Sequence, residues 1–289
     1  MATSDFLGVG FIGLGSQGAP MAHRIVEAGF PLTLWARRPQ SLRPFDDSAA
    51  ATASTPAALA EASSIVCICV TGDEDVMEVV DGADGVLSGL ARGGTLIVHS
   101  TVHPETCIRL HQLGAEKGIT VLDAAVSGGG PAAAQGTLLV MVGGDEAGLD
   151  RARPVLATFG DPILHVGEIG AGQMAKLVNN LVFTAQIALS LETFALVDEL
   201  GLDGAAMAQV FERGSGASRA ATMLSAPGFD IGVLARVAAP LLRKDVDLIT
   251  DVARRRQIAP PESVVTLAEK GLRSLHAAAE ENAAKGGRA

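Results

Sequence analysis

Short apolar runs alternate with amphipathic stretches through the first half of the chain. Residues 6–12 (FLGVGFI) form the first run. A helix follows, with Pro20 in its first turn and Gly29 at its close, and residues 32–36 (LTLWA) form the second run. Proline just inside a helix and glycine just past it are natural boundary residues. The alternation continues: Thr55-Pro56 opens a helix, residues 64–70 (SIVCICV) read as a buried strand, and residues 73–80 are helical. Residues 95–98 are a strand, Pro104 opens a helix running to Lys117, and residues 120–126 and 138–142 are strands. A helix over 146–159 leads to a last apolar run at 162–166. Strands separated by helices predict a mostly parallel, doubly wound α/β sheet.

Past residue 166 the pattern changes. Residues 170–201 read as one long helix, entered from a turn at Gly170 and Gly172 and stopped at Gly201. Between these ends about 28 residues make a rod of ~42 Å at 1.5 Å per residue. Its surface is apolar almost all round, which predicts burial on most sides, as a core axle or a membrane span. The aligned Asn179, Asn180, Gln186 and Ser190 argue against lipid. The remainder reads as helices separated at 214–216, at a Pro227-Gly228 turn, at Pro240 and at Pro260-Pro261. An Ala-rich tail after His276 frays, with residues 285–289 (KGGRA) expected to be disordered. The expected organisation is an α/β domain over 1–166 and an all-helical domain over 167–289, joined by the long helix.

Composition narrows the function classes. The chain has 289 residues, 48% hydrophobic and 19% charged, which fits a globular protein. A net charge of −10 with no basic stripe argues against nucleic-acid or anionic-membrane partners. Any nucleotide site must therefore build its own local positive field. Three cysteines (Cys67, Cys69, Cys107) are too few for a disulfide framework; they read as small buried hydrophobes of a reducing compartment, with no metal site expected. The N-terminus lacks a basic region before its apolar run, so a cytoplasmic location is expected.

The first strand–helix turn carries the chemistry of nucleotide binding. Gly13-Leu14-Gly15-Ser16-Gln17-Gly18 lies between an apolar run and a helix, inside a βαβ unit of about 30 residues. Gly13 permits the tight turn, Gly15 lets backbone approach a pyrophosphate, and Gly18 lets helix pack on strand. Ligands of such sheets lie off the carboxyl ends of the strands, which places Val70-Thr71, Ser100-Thr101 and Ser127-Gly128-Gly129 along one rim. Backbone N–H groups of a Ser-Gly-Gly turn form an anion nest. On the long helix Lys176, Asn180 and Thr184 share one face, and a lysine on an apolar helix is costly unless something needs it.

Five segments, in this order and spacing, resemble the β-hydroxyacid dehydrogenases: GFIGLGSQGAPMA, HSTVHPET, DAAVSGGGPAAAQGTLLVMVGGD, GAGQMAKLVNN and RKDVDL. That family includes 3-hydroxyisobutyrate dehydrogenase and is related to 6-phosphogluconate dehydrogenase; the resemblance covers residues 6–255. It implies a Rossmann domain, an all-helical domain, and NAD(P)-dependent oxidation of a small 3-hydroxy carboxylate by a homodimer or higher homo-oligomer. It gives Lys176 the role of catalytic acid/base, with Asn180 and the adjacent Asn179 at the substrate. Ser127, Gly128 and Gly129 would receive the substrate carboxylate. Thr101 and Lys244 would lie near the nicotinamide end of the cofactor; Val70 and Thr71, standing where the family usually has Leu-Pro, would be cofactor-binding residues of the rim. Arg219 stands where many members carry an aromatic residue; lining the site, it would pair with a second polar group of the substrate.

In oxidation Lys176 would take the hydroxyl proton as hydride leaves the same carbon. An ordinary lysine, near pKa 10.4, is a poor base at neutral pH, and burial beside an oxidised nicotinamide would lower that value. NADP is expected over NAD, because residues 33–38 (TLWARR) offer no acid for a ribose 2′-OH, while Arg37 and Arg38 suit a 2′-phosphate. Three other readings share these residues: an imine reductase on the same architecture, a dehydrogenase using a histidine base (His99 or His103 near the rim), and a cofactor-binding sensor without turnover.

Overall fold

A computed structural model describes residues 7–226, 229 and 231–286. Phe6, the Pro227-Gly228 turn and residues 287–289 of the tail lie outside the described residues. The chain divides into two compact units, Met1–Lys176 and Leu177–Ala289.

The first unit is the α/β sheet. In chain order it runs β1 (Val9–Ile12), α1 (Gly18–Glu27), β2 (Leu32–Trp35), β3 (Ala51–Thr52), α2 (Pro56–Glu61), β4 (Ile65–Ile68), α3 (Asp73–Asp81), α4 (Val86–Gly89) and β5 (Thr95–Val98). It continues with α5 (Pro104–Lys117), β6 (Thr120–Ser127), α6 (Gly129–Gln135), β7 (Leu138–Gly143), α7 (Glu146–Leu156) and β8 (Gly160–Gly167). Among the described residues eight strands form one sheet in the order β3-β2-β1-β4-β5-β6-β7-β8. The order reverses direction at β1, so β1 and β4 flank the switch point where doubly wound sheets bind ligands. All pairings are parallel except β6 with β7. The connection from β6 holds only the short α6, less than a parallel crossover requires, and β7 therefore returns antiparallel.

Strands β1, β4 and β5 are buried at every position, which is why they read as continuous apolar runs. One face packs Phe11, Met21, Ile25, Leu34, Val140 and Phe159; the other packs Ile12, Leu59, Ile68, Leu96, Val98 and Leu110. The helix from Pro104 stops at Lys117 because Gly118 turns left-handed, with φ 69°. Short elements without a period of their own (β3, α4, α6 and a 3₁₀ turn at Pro39–Phe45) were not visible in the pattern.

The second unit is helical: most of α8 (Ala171–Glu199), then α9 (Gly204–Arg213), α10 (Arg219–Leu224), α11 (Ile231–Arg255) and α12 (Glu262–Gly286). Its core joins Leu181 and Ile187 of α8 to Ala235, Leu242 and Val246 of α11 and to Ala268, Leu272 and Leu275 of α12. Helix α12 reaches Gly286, so Lys285 and Gly286, expected in a disordered tail, are helical. By length and composition alone α8 could cross a membrane. It instead buries Leu177, Leu181, Ile187, Ala188 and Val197 in protein, together with Asn180, Thr184 and Ser190. Its burial is narrower than its composition predicts. Val178, Val182, Leu189 and Leu196 are 43–55% exposed and, at spacings of four and seven, form one stripe.

Candidate active site

The glycine loop leaves β1 at the switch point. Gly13 has φ +102°, and a Cβ there would stand 2.2 Å from the Cys69 carbonyl at the end of β4. A Cβ on Gly18 would stand 1.9 Å from the Gly13 carbonyl, so α1 can start this close only without a side chain. A Cβ on Gly15 would meet nothing within 4 Å, which leaves the loop open on that side. The first turn of α1 has no acidic residue, and Gln17 at its N-cap makes no side-chain bond to it. Its leading N–H groups therefore suit an anion from outside the chain. These features fit a dinucleotide's pyrophosphate. Gly130, one residue into α6, approaches the Ser16 carbonyl so closely that a Cβ would lie 2.6 Å away, which brings the Ser-Gly-Gly segment beside the loop.

Because β1, β4, β5 and β6 run parallel, their carboxyl ends share one edge. Val70, Thr71, Ser100 and Thr101 follow those ends, and Ser127 closes β6 ahead of Gly128 and Gly129, as the pattern predicted; Leu14 follows β1. The Val70 N–H donates to Ser100 Oγ at 2.8 Å, which ties the β4 end to the β5 end. Gly128 and Gly129 take φ of 133° and 71°, and α6 begins directly there. At the end of β2, Arg37 is not a bare cation. Its guanidinium donates to Asp75 at 2.9 Å and to Glu78 at 2.7 Å, both on α3, while Arg38 is exposed. The bond to Asp75, with the charge of Glu78, raises the Arg37 pKa above its ordinary value.

Lys176 is half-buried on α8. The first turn of this helix is fixed to the sheet by residues the sequence reading did not single out. Asp123 of β6 is fully buried and accepts the N–H of Gly170 at 2.6 Å and of Gln173 at 2.7 Å. Burial raises the carboxyl's pKa, and these backbone bonds oppose the rise. A lone carboxylate inside the run TVLDAAV was the available signal, since a buried charge demands partners.

In the second unit Asn180, one turn beyond Lys176 along α8, donates through Nδ2 to Asp245 Oδ2 at 2.5 Å, and Asn179 Nδ2 donates to Asn180 Oδ1 at 3.1 Å. Asp245 is 3% exposed and its Oδ1 lies 2.9 Å from Lys244 Nζ. Lys244 is thus half-buried and Asp245 buried. Arg219 opens α10 and is exposed.

The two histidines named at the rim each have one ring nitrogen bonded to backbone. His99 is 2% exposed, donates Nδ1–H to the Ala124 carbonyl at 2.7 Å, and packs edge-on against Phe159 at 5.5 Å and parallel to Phe11 at 6.5 Å. Burial pushes its pKa down to about 4. His103 caps α5, accepting the Glu105 N–H at Nδ1.

Two family models match the chain. Residues 8–170 match the NAD binding domain of 6-phosphogluconate dehydrogenase, and residues 170–285 match the NAD-binding of NADP-dependent 3-hydroxyisobutyrate dehydrogenase. A 3-hydroxyisobutyrate dehydrogenase of Pseudomonas aeruginosa is 34% identical, over 94% of this chain and 93% of that protein. The solved structure of Mycobacterium tuberculosis 3-hydroxyisobutyrate dehydrogenase with L-serine superposes with a TM-score of 0.78 at 28% identity, covering 94% of this chain and 93% of that one. A protein named Psf3, solved with NADP+ and 2-OPP, gives 0.77 at 28% identity, covering 92% and 93%. A Pseudomonas imine reductase, at 18% identity and a TM-score of 0.63 over 95% and 99%, shares the fold alone.

Proposed function

The chain belongs to the β-hydroxyacid dehydrogenase family, as an NAD(P)-dependent oxidoreductase acting on CH–OH, and from that premise we propose that it oxidises a small 3-hydroxy carboxylate with NADP, using Lys176 as general acid and base. The observation that carries the reading is the position of Lys176: half-buried on α8, three residues after a turn bonded into the sheet through Asp123.

When bound, the oxidised nicotinamide accepts the hydride. The chain's own residues do the rest. Backbone N–H groups at Ser127, Gly128 and Gly129 receive the substrate carboxylate. Lys176, as the neutral amine, takes the hydroxyl proton; in the reverse direction its ammonium polarises the carbonyl and returns that proton. Asn180 holds the hydroxyl with the amide hydrogen not given to Asp245, and Asn179 fixes the amide's orientation from the other side. Thr101 flanks the nicotinamide end of the cofactor, Val70 and Thr71 line the cofactor along the rim, and the family resemblance assigns Lys244 to the nicotinamide end as well.

Arg38 and Arg37 would read a 2′-phosphate, with Asp75 and Glu78 competing for the second of them; solvent-exposed ion pairs of this kind are weak and yield to a dianion. Arg219 would pair with a second polar group on the substrate, a role that full activity of Arg219→Ala on every good substrate would remove. The exposed stripe of Val178, Val182, Leu189 and Leu196 supports a homo-oligomer in which a second copy covers it. Free Cys67, Cys69 and Cys107 are consistent with the cytoplasm.

The test is a panel of 3-hydroxy acids, including 3-hydroxyisobutyrate and L-serine, assayed with NADP and with NAD. Turnover of at least one 3-hydroxy acid, faster with NADP, is expected; cofactor binding without turnover of any hydroxy acid would contradict the proposal.

A further inference from the structure

The side chain of Gln173 is fully buried. Its Oε1 accepts the Val102 N–H at 3.0 Å and its Nε2 donates to the Ser100 carbonyl at 2.9 Å. The amide orientation is fixed by these partners, because one is only a donor and the other only an acceptor. The two bonds bracket Thr101, on the loop that ends β5. Ser100 in turn accepts the Val70 N–H through Oγ, so the β4 end joins the same network. The backbone N–H of Gln173 is held by Asp123, beside Gly170. Gln173 also lies three residues before Lys176, a spacing that puts the two on adjoining positions of one helix face.

We propose that Gln173 is a positioning residue for hydride transfer: it holds the Lys176 turn of α8 in register with the Thr101 loop and the β4 end, and Asp123 locks that turn in place. The proposal rests on Lys176 as the acid/base. A buried glutamine that only filled space would be served as well by methionine, and the Thr101 loop needs no clamp for its own sake, since α5 begins directly after it. What the clamp adds is a fixed separation between the proton-transfer group and the rim. Displacements of about 1 Å in such separations can cost ~10²-fold in rate.

The experiment compares Gln173→Met and Gln173→Glu in the full chain, with 3-hydroxyisobutyrate and NADP as the assay pair and NADPH fluorescence for binding. Methionine keeps the volume and removes both bonds. Glutamic acid keeps both only while protonated, when its O–H donates to the Ser100 carbonyl. Ionised, it sets a carboxylate against that carbonyl, with the Cys107 thiol against the side chain and Asp123 on the backbone N–H of the same residue. Burial and Asp123 both favour the protonated form and lift its pKa.

The expected result is a roughly 10- to 100-fold lower kcat per folded chain for Gln173→Met, with KM and the NADPH dissociation constant within about threefold of wild type. Gln173→Glu should run close to wild type at low pH and fall to the methionine level as pH rises, an alkaline limb absent from the other two profiles. If Gln173→Met does not fold, the pH profile of Gln173→Glu decides alone. A methionine variant with wild-type kcat overturns the proposal, as does a glutamate variant whose rate still tracks wild type at a pH where infrared difference spectra show its carboxyl ionised. Lys176→Ala is run beside them: if it turns over normally, the acid/base assignment fails, whatever the Gln173 variants do.

Discussion

Replacing His99 by glutamine should make the protein more resistant to acid, and the size of the gain follows from the burial of the ring. His99 is 2% exposed, and its pKa falls from an ordinary 6.5 to about 4 because the interior penalises the imidazolium. A histidine whose folded-state pKa is depressed contributes full stability above 6.5 and loses it as pH falls toward 4, since only the unfolded chain takes up the proton there. Between those values the linkage relation gives a loss of about 2.5 kcal/mol by pH 4.5 relative to neutrality. Glutamine never ionises and keeps an N–H for the Ala124 carbonyl. Asp123 works in the opposite sense. Burial holds its carboxyl above the ordinary value, so its contribution is present at low pH and lost as pH rises through the folded-state value; it is common to both proteins and cancels in the difference. The assay is urea unfolding of both proteins at matched ionic strength from pH 7.5 to 4.5. The stability difference, wild type minus variant, should fall by about 2.5 kcal/mol over that interval. A difference independent of pH would mean that the ring is solvated, and would restore His99 as a candidate base at the rim.

Other outcomes follow from the same geometry. Gly18→Ala places a Cβ 1.9 Å from the Gly13 carbonyl, and the forced shift of α1 should weaken NADPH binding at least about tenfold; an unchanged dissociation constant would refute it. Gly15→Ala meets no protein atom within 4 Å, so it should keep the wild-type melting temperature while losing cofactor affinity, and affinity at the wild-type level would show that no phosphate comes close there. Replacing Arg37 and Arg38 together by alanine should lower kcat/KM with NADP about tenfold or more relative to NAD, and an unchanged ratio would place the discrimination elsewhere. Leu189→Glu, on the exposed stripe of α8, should shift the protein to monomer by light scattering at micromolar concentration, whereas a wild-type chain already monomeric would contradict an oligomer.

Much of this was legible in the sequence because burial and period are local signals. The runs that became β1, β4 and β5 are almost wholly apolar since both their faces are covered, and Pro104 marked the start of α5 by capping chemistry alone. The rim residues were legible too, because parallel strands must end on one edge. What was hidden depends on long-range partners. Asp123 meets α8 across 47 and 50 residues, Gln173 meets the β5 loop across more than 70, and Asp245 meets Asn180 across 65; no local pattern encodes such pairs. Asp75 and Glu78 reached Arg37 for the same reason. The direction of β7 was hidden because a short loop–helix connection leaves no periodic trace.

The most direct measurement is single-turnover hydride transfer by Lys176→Ala and Lys176→Arg, after circular dichroism and NADPH titration show both folded and cofactor-bound. General acid–base catalysis is worth ~10²–10⁴-fold, so Lys176→Ala should lose at least that much in the transfer step while binding NADPH as wild type does. Lys176→Arg should lose nearly as much, because a guanidinium keeps the charge but does not give up its proton near neutral pH. An arginine variant that binds cofactor and transfers hydride at a near-normal rate would contradict Lys176 as the acid/base.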